Sequence, residues 1–333
     1  MSKERIRSPA LKKKIVTADK AAKNIKDGMT VATSGFARAG YPKAVPQALA
    51  EHIKVGRRVK INLWTGASVG EELDGALSAV GALGKRLPYQ SVKSIRKHIN
   101  SREVQFIDYH LSHTPEQIRY GYFGDLDIAI VEATAITEDG YIIPTTSVGS
   151  VPTFVQKAEK IIIEVNKSQP LALEGVHDIY VPQDPPHRKA IPVEKPDQRI
   201  GKPYVEVDPD KIIAVVETSI PDNPYSIQQP DKMAISLARR LCDFLKEEVK
   251  KGRLPANLLP IQGGVGTTGN AMLDALSEFD NLYIYSEVLQ DKVFELMDKA
   301  KVAAVSGTAI TLSPFGQERI IKDMDKYRER LIL

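Results

Sequence analysis

The residues most able to do chemistry sit late in the chain. Glu287 lies near the end of the run LYIYSEVLQD, whose apolar residues mark a buried strand. Ligands of α/β sheets bind at the carboxyl ends of strands, so this carboxylate stands at the edge of a site. The same spacing suits a surface glutamate ahead of the helix VLQDKVFELMDKA, where a negative charge contributes about 0.3 to 1 kcal/mol. A second candidate is the run Gly263-Gly264-Val265-Gly266, between the apolar LLPIQ and the helical NAMLDAL. Glycines there let the backbone turn sharply and bring its N–H groups against an anion or an oxyanion. As a dinucleotide fingerprint the run is weak: it is not first in its sheet, and a downstream acid would have to read a ribose.

Two further clusters compete. Gly66-Ala67-Ser68-Val69-Gly70 is a literal G-x-S-x-G after a strand and before a helix, the context of a serine hydrolase elbow. It comes early in the chain, and no later Asp and His are recognisably placed to complete a triad. Asp108, His110 and His113 offer three metal ligands, the first two on one strand face, with no fourth in evidence. Ordinary polar contacts near a strand end account for them better. The stripe Met233, Leu237, Leu241, Phe244, Leu245 has the helical spacing of a core-facing side.

Positioning such residues takes a folded protein, and the composition supplies one. The 333 residues are 42% hydrophobic and 26% charged, enough for two domains with their own cores. The single cysteine, Cys242, excludes an internal disulfide, and no C-x-x-C pair suggests zinc or redox chemistry. No apolar run nears the roughly 20 residues of a membrane span, and MSKERIRSPALKKK lacks the apolar stretch of a signal peptide, so a cytoplasmic location and no membrane partner are expected. A net charge of +4, with Lys and Arg scattered among acids, argues against nucleic acid as a partner.

Short Val- and Ile-rich runs alternate with amphipathic segments: TVATSG, PKAVPQALAEHI, VKINLWTG, EELDGALSAVGALG, VQFIDYHL, DIAIVEA, KIIIEVN. That alternation predicts an α/β protein with mostly parallel, buried sheets. Between Val181 and Tyr204 six prolines preclude helix and central strand, leaving a linker or a long surface arm. The pattern then resumes with KIIAVVETS, a long helix, LLPIQGGVG, NLYIYSE and KVAAVSGTAITLS. Two domains follow: 1–204, with the proline-rich arm at its end, and 205–333. The halves share an order of strand, glycine turn, helix and strand, which places Gly66 of the first opposite Glu287 of the second. A strand end that takes only a glycine in one copy carries a carboxylate in the other.

The strings SGFARAGYPKAVPQALA, RLPYQSVKSIRKHIN, DYHLSH, EGVHDIYVPQDPPHR with QRIG, and GGVGTTGNAM followed by YSEVLQD resemble the acetyl-CoA hydrolase/succinyl-CoA:acetate CoA-transferase family of class I CoA-transferases. The likeness runs in order from about Arg5 to the last residue. It implies two similar, open, mostly parallel α/β domains. The second is expected to be incomplete, because family members are longer and their C-terminal portion completes it. The end RERLIL reads as cut rather than finished.

The resemblance also implies roles. The glutamate of the YSEVLQD string is the family's nucleophile, here Glu287, and Val265 holds the position whose backbone N–H serves the oxyanion. The loop of Ile261, Gln262, Gly263, Gly264, Val265, Gly266 and neighbouring Asn270 would bind coenzyme A, with no metal required. The expected reaction moves CoA between acetyl-CoA or succinyl-CoA and a small carboxylate such as acetate, through a glutamyl-CoA thioester. Hydrolysis of acetyl-CoA by the same glutamate, or a non-catalytic CoA-binding fragment, are the alternatives. A glutamate with an ordinary pKa of about 4.3 is ionised at neutral pH, so no general base is needed to activate it. Relatives handling succinate place an arginine in the region of IPDNPYS, where this chain has Asn223, which points to a monocarboxylate. The family's habit of pairing subunits makes a homodimer the expected assembly.

Overall fold

The computed structural model describes residues 4–223 and 229–333. Eleven strands are found among them: β1 (Thr30–Thr33), β2 (Ile61–Thr65), β3 (Leu83–Leu87), β4 (Gln105–Phe106), β5 (Ile128–Ile136), β6 (Ile142–Pro144), β7 (Lys160–Asn166), β8 (Ile212–Thr218), β9 (Leu282–Leu289), β10 (Val302–Ile310) and β11 (Leu331–Ile332). The first sheet runs β4-β3-β2-β1-β5-β7-β8 with every pair parallel, and β6 lies antiparallel beside β5. The second runs β11-β10-β9, also parallel. The α/β class read from the sequence is the architecture observed.

All nine residues of β5 are buried, as a parallel strand covered on both faces requires. Its side chains alternate between two cores. Ile128 and Ile130 join Val45 and Leu49 of the helix Ala44–Lys54, while Ala129 and Val131 join Phe154 and Val155 of the helix Val151–Lys157. The second sheet has its own core, with Ile284, Phe294, Met297, Val305, Met324 and Tyr327 in contact.

The first unit does not end at residue 204. β8 pairs with β7 from Ile161↔Ile212 to Asn166↔Thr218, so the sheet extends to Thr218. Nor is the proline-rich stretch a connector. Ile179 bridges Lys202, and Val205 bridges Ile142, so the arm leaves the first unit and closes back onto it. Proline content excluded helix and strand there correctly but carried no information on where the chain returns.

Other local expectations shift as well. The run VQFIDYHL is strand only at Gln105–Phe106, and LLPIQ keeps a single bridge, Ile261↔Ile284. Helix in EELDGALSAVGALG stops at Ala79, ahead of β3. The stripe on the long helix Lys232–Lys250 is a core face only in part: Leu245 packs against the second core, but Met233 is 72% and Phe244 59% exposed, and the fully buried residues are Ala234, Ala238 and Cys242. Small residues let this helix lie close to its neighbour Thr267–Ala275, where Ala271 joins Ala234 and Ala238. The end of the chain is buried, with Leu331 paired to Val305 and the Leu333 carbonyl accepting from the Asp178 N–H at 2.7 Å.

Candidate active site

An open sheet offers a ligand crevice where its strand order reverses, which in the first sheet is between β1 and β5. Here that place is filled by the chain's own side chains. Lys43, fully buried, places Nζ 2.6 Å from Glu132, 2.9 Å from Asp222 and 2.8 Å from the Tyr41 carbonyl. Glu164 accepts from the N–H groups of Lys43, Ala44 and Val45 at 2.6 to 3.0 Å, at the start of the helix Ala44–Lys54. Asn166 donates to Glu132 at 2.9 Å. Burial pushes the Glu132 carboxyl up to about 7 against the attraction of Lys43, and neighbouring Asp222 pushes it the same way. Burial also raises Glu164. Such a filled, bonded cluster is a structural core and leaves no space for a substrate.

The corresponding place in the second half is open. Gly266 adopts φ +136°, a conformation reserved for glycine, and starts the helix Thr267–Ala275 without a capping side chain. A Cβ on Gly269 would meet the Gly264 carbonyl oxygen at 2.0 Å, so the loop folds tightly over this first helical turn because residue 269 has no side chain. Among the described residues, the N–H of Val265 has no hydrogen-bond partner. The seven loop residues named from the sequence are therefore brought together: Ile261 bridges β9, Gln262, Gly264 and Val265 are exposed, Gly263 and Gly266 are half-buried, and Asn270 lies in the helix with its Oδ1 buried and unpartnered.

Glu287 stands on β9, which the loop touches. Tyr285 and Glu287 are exposed at alternate positions of the strand, whereas Ser286 and Val288 are buried. Among the described residues the Glu287 side chain makes no hydrogen bond or ion pair. The Ser286 Oγ lies 3.3 Å from the Gly263 N–H that it accepts and 3.2 Å from the Gly263 carbonyl, and Gln290 donates to the Gly264 carbonyl at 3.1 Å. Residues on both sides of Glu287 thus tie the glycine loop to its strand. Spacing alone had not singled these two out, although both lie inside the string YSEVLQD.

Glu287 also sits at the seam between the halves. Val288 packs with Phe36, Ala39 and Ala67 of the first, and Ala309 of β10 bridges Ser147. Tyr285 and Ser286 line a cleft of about 330 Å³ whose far wall includes Val148 and Gly149, ahead of the helix Val151–Lys157, and Ile191 of the proline-rich arm. On the loop side, a slot of about 290 Å³ runs between Leu241, Leu245, Leu258 and Leu273 to Gly263 and Gly264.

The competing sites are not assembled. Ser68 is buried and its hydroxyl meets the Ser91 hydroxyl at 2.6 Å, with no histidine against it among the described residues. Gly66 in the same turn has a packing reason, since a Cβ there would lie 2.7 Å from the Gly35 carbonyl oxygen. Asp108 and His110 lie beyond the end of β4 and share no strand face; the His110 and His113 rings are 5.5 Å apart and exposed. No group of three metal-binding side chains occurs among the described residues, and no described helix is long and apolar enough to cross a membrane. Asn223 donates to Glu72 at 3.1 Å; the rest of its loop, 224–228, lies outside the described residues.

Residues 1–217 match the acetyl-CoA hydrolase/transferase N-terminal domain. The chain belongs to that family. The succinyl-CoA:acetate CoA-transferase of Clostridium kluyveri is 43% identical over 336 residues, covering 100% of this chain and 62% of the relative. An acetyl-CoA hydrolase of Schizosaccharomyces pombe is 42% identical over 99% of this chain and 65% of its own length. The chain therefore spans less than two thirds of these relatives. Among solved structures, RipA of Yersinia pestis superposes with a TM-score of 0.70 at 16% identity, covering 97% of this chain and 68% of that one. A 4-hydroxybutyrate CoA-transferase of Porphyromonas gingivalis does so at 0.61 and 18% identity, with 97% and 67% covered. At such identities these two speak for the fold alone.

Proposed function

We propose that this chain carries the nucleophile and oxyanion loop of a CoA-transferase, with Glu287 as the residue that becomes acylated. The observation that carries the reading is an exposed, uncompensated carboxylate at the end of a parallel strand, tied through its neighbours to a glycine loop with a free N–H.

A Glu287 carboxylate oxygen attacks the thioester carbonyl of an acyl-CoA. The oxyanion formed is stabilised by the N–H of Val265, an interaction worth about 3 to 4 kcal/mol in comparable acyl transfer. Collapse breaks the carbon–sulfur bond, giving an acyl-glutamyl anhydride and CoA thiolate. The thiolate attacks the glutamyl carbonyl, the acyl carboxylate departs, and CoA is held as a glutamyl thioester. A second carboxylate attacks that thioester and runs the steps in reverse, regenerating Glu287. Ile261, Gln262, Gly263, Gly264, Gly266 and Asn270 would hold the CoA, whose remote binding energy offsets the cost of the anhydride.

Water in place of the acceptor acid makes the same site a hydrolase, and the names of the relatives include both activities. Transfer is the leading reading because an acceptor acid explains the carboxylate relay. Asn223 in place of a cation favours a monocarboxylate such as acetate. A homodimer in the cytoplasm completes the proposal; the lone buried thiol of Cys242 fits a reducing compartment, and sedimentation checks the dimer.

The test is intact-protein mass spectrometry after incubation with acetyl-CoA, then borohydride reduction and peptide mapping. A CoA-sized adduct, or reduction of Glu287 to its alcohol, is expected. No adduct in this chain, nor in one extended to the length of its relatives, overturns the mechanism.

A further inference from the structure

The two residues that fasten the glycine loop do more than hold a surface turn. We infer that Ser286 and Gln290 are paired positioning residues that aim the Val265 N–H at the acyl oxygen, an inference resting on the role proposed for Glu287. They flank the nucleophile at positions −1 and +3, and both are buried, at 7% and 1% exposure. Ser286 clamps both polar groups of Gly263, and Gln290 holds the carbonyl of Gly264. That carbonyl belongs to the peptide unit whose N–H is Val265's own. Gln290 therefore fixes the plane of the peptide that presents the oxyanion donor, and Ser286 fixes the peptides before it. No side-chain packing at Gly264 itself does this, since a Cβ there would meet nothing within 4 Å.

The chemistry of Gln290 separates this role from ordinary packing. Its Nε2 is used, but its Oε1 is buried with no hydrogen-bond partner among the described residues. An unsatisfied buried acceptor costs free energy, so a side chain selected for stability alone at this position would be apolar. Gln290 gives up stability while holding one carbonyl beside the nucleophile. Fastening the loop by hydrogen bonds to residues on either side of the nucleophile also sets their separation, which is the preorganisation an oxyanion donor needs.

The experiment compares Gln290→Leu, Ser286→Ala and the hydroxyl-retaining Ser286→Thr with the unaltered chain. The readouts are thermal stability, hydrogen exchange of the amides at 263–266, and the rate and half-saturating concentration of acetyl-CoA labelling at Glu287. For Gln290→Leu a Tm equal to or above the parent is expected, with faster exchange in the loop. Its labelling rate should fall about 100-fold at unchanged half-saturation, as for loss of an oxyanion donor. Ser286→Ala should also lose rate, and Ser286→Thr should recover most of it. Unchanged loop exchange in both Gln290→Leu and Ser286→Ala overturns the inference, as does faster exchange with an undiminished labelling rate. If the parent chain and its extended form take no label, it is the Glu287 mechanism that fails; the exchange data still decide whether the two side chains hold the loop.

Discussion

At the scale of single residues, exposure separates function from folding. Glu287 touches no partner, so Glu287→Gln should abolish the covalent adduct while shifting stability by no more than about 0.5 kcal/mol, the range of ordinary surface substitutions. Ser68→Ala should do the reverse, keeping the adduct and losing about 1 kcal/mol with its hydroxyl contact. Labelling and thermal melts on the two variants distinguish a carboxylate nucleophile from a serine one. His177 contributes differently. It is buried with Nε2 at 2.9 Å from the Thr145 carbonyl, and burial pushes its imidazole down to about 4 from the usual 6.5. The unfolded chain therefore takes up a proton near pH 6.5 that the folded one refuses until about pH 4. Stability from this group is complete above pH 6.5 and is lost as pH falls toward 4, by about 3 kcal/mol. Glu132, raised to about 7, acts with the opposite sign, its contribution falling as pH rises from 4.5 to 7. The check is thus a difference: denaturant melts of His177→Gln should be flatter between pH 6.5 and 4 than those of the parent, and a parallel loss in both would sink the assignment.

At the scale of elements, the glycine loop is the part whose shape follows most directly from residue type. Gly269→Ala forces a methyl group against the Gly264 carbonyl, so the loop must move. Both Tm and the rate of Glu287 labelling should drop together, whereas an alanine at Gly81, whose Cβ would meet nothing within 4 Å, should cost stability without touching labelling. The strands were legible because those buried on both faces carry unbroken Val and Ile, whereas Glu287 stood out as a carboxylate near the end of the more mixed strand β9. Three features left no such signal. β8 was assigned to the second half because local pattern says nothing of which sheet a strand joins. The buried set of Lys43, Glu132, Glu164 and Asp222 draws single polar residues from several segments, and no periodicity links them. Ser286 and Gln290 act on backbone carbonyls 23 and 26 residues away, contacts invisible to any count of side-chain spacing. The apolar stripe of the helix Lys232–Lys250 failed the opposite way: its period was right, but Met233, Leu237 and Phe244 are exposed and only Leu245 packs against the second core.

At the scale of the whole molecule, the question is whether two sheets make two cooperative units or one. The contacts across the seam are numerous and well bonded. Ile310 donates to the Thr146 carbonyl at 2.8 Å, Thr311 to Ala37 at 2.9 Å, Gln317 to Asp222 at 3.2 Å, and Arg199 to Leu331 at 3.0 Å. Val288 and Ala309 add an apolar patch against Phe36 and Ala67. Opening the seam would strip these bonds while also uncovering Asp222, which is bonded to the buried Lys43, so the halves should unfold together. The single tryptophan makes this measurable, because Trp64 lies in β2, buried in the first half, whereas far-ultraviolet circular dichroism reports both sheets. Coincident thermal transitions by the two probes are expected. Replacing Lys43 with Met leaves Glu132 and Asp222 without their cation, at a cost of about 3 to 5 kcal/mol, and should lower both transitions equally. If tryptophan fluorescence shifted while part of the circular dichroism change stayed at its original temperature, the second sheet would be an independent unit. The loop and Glu287 would then owe nothing of their geometry to the first half.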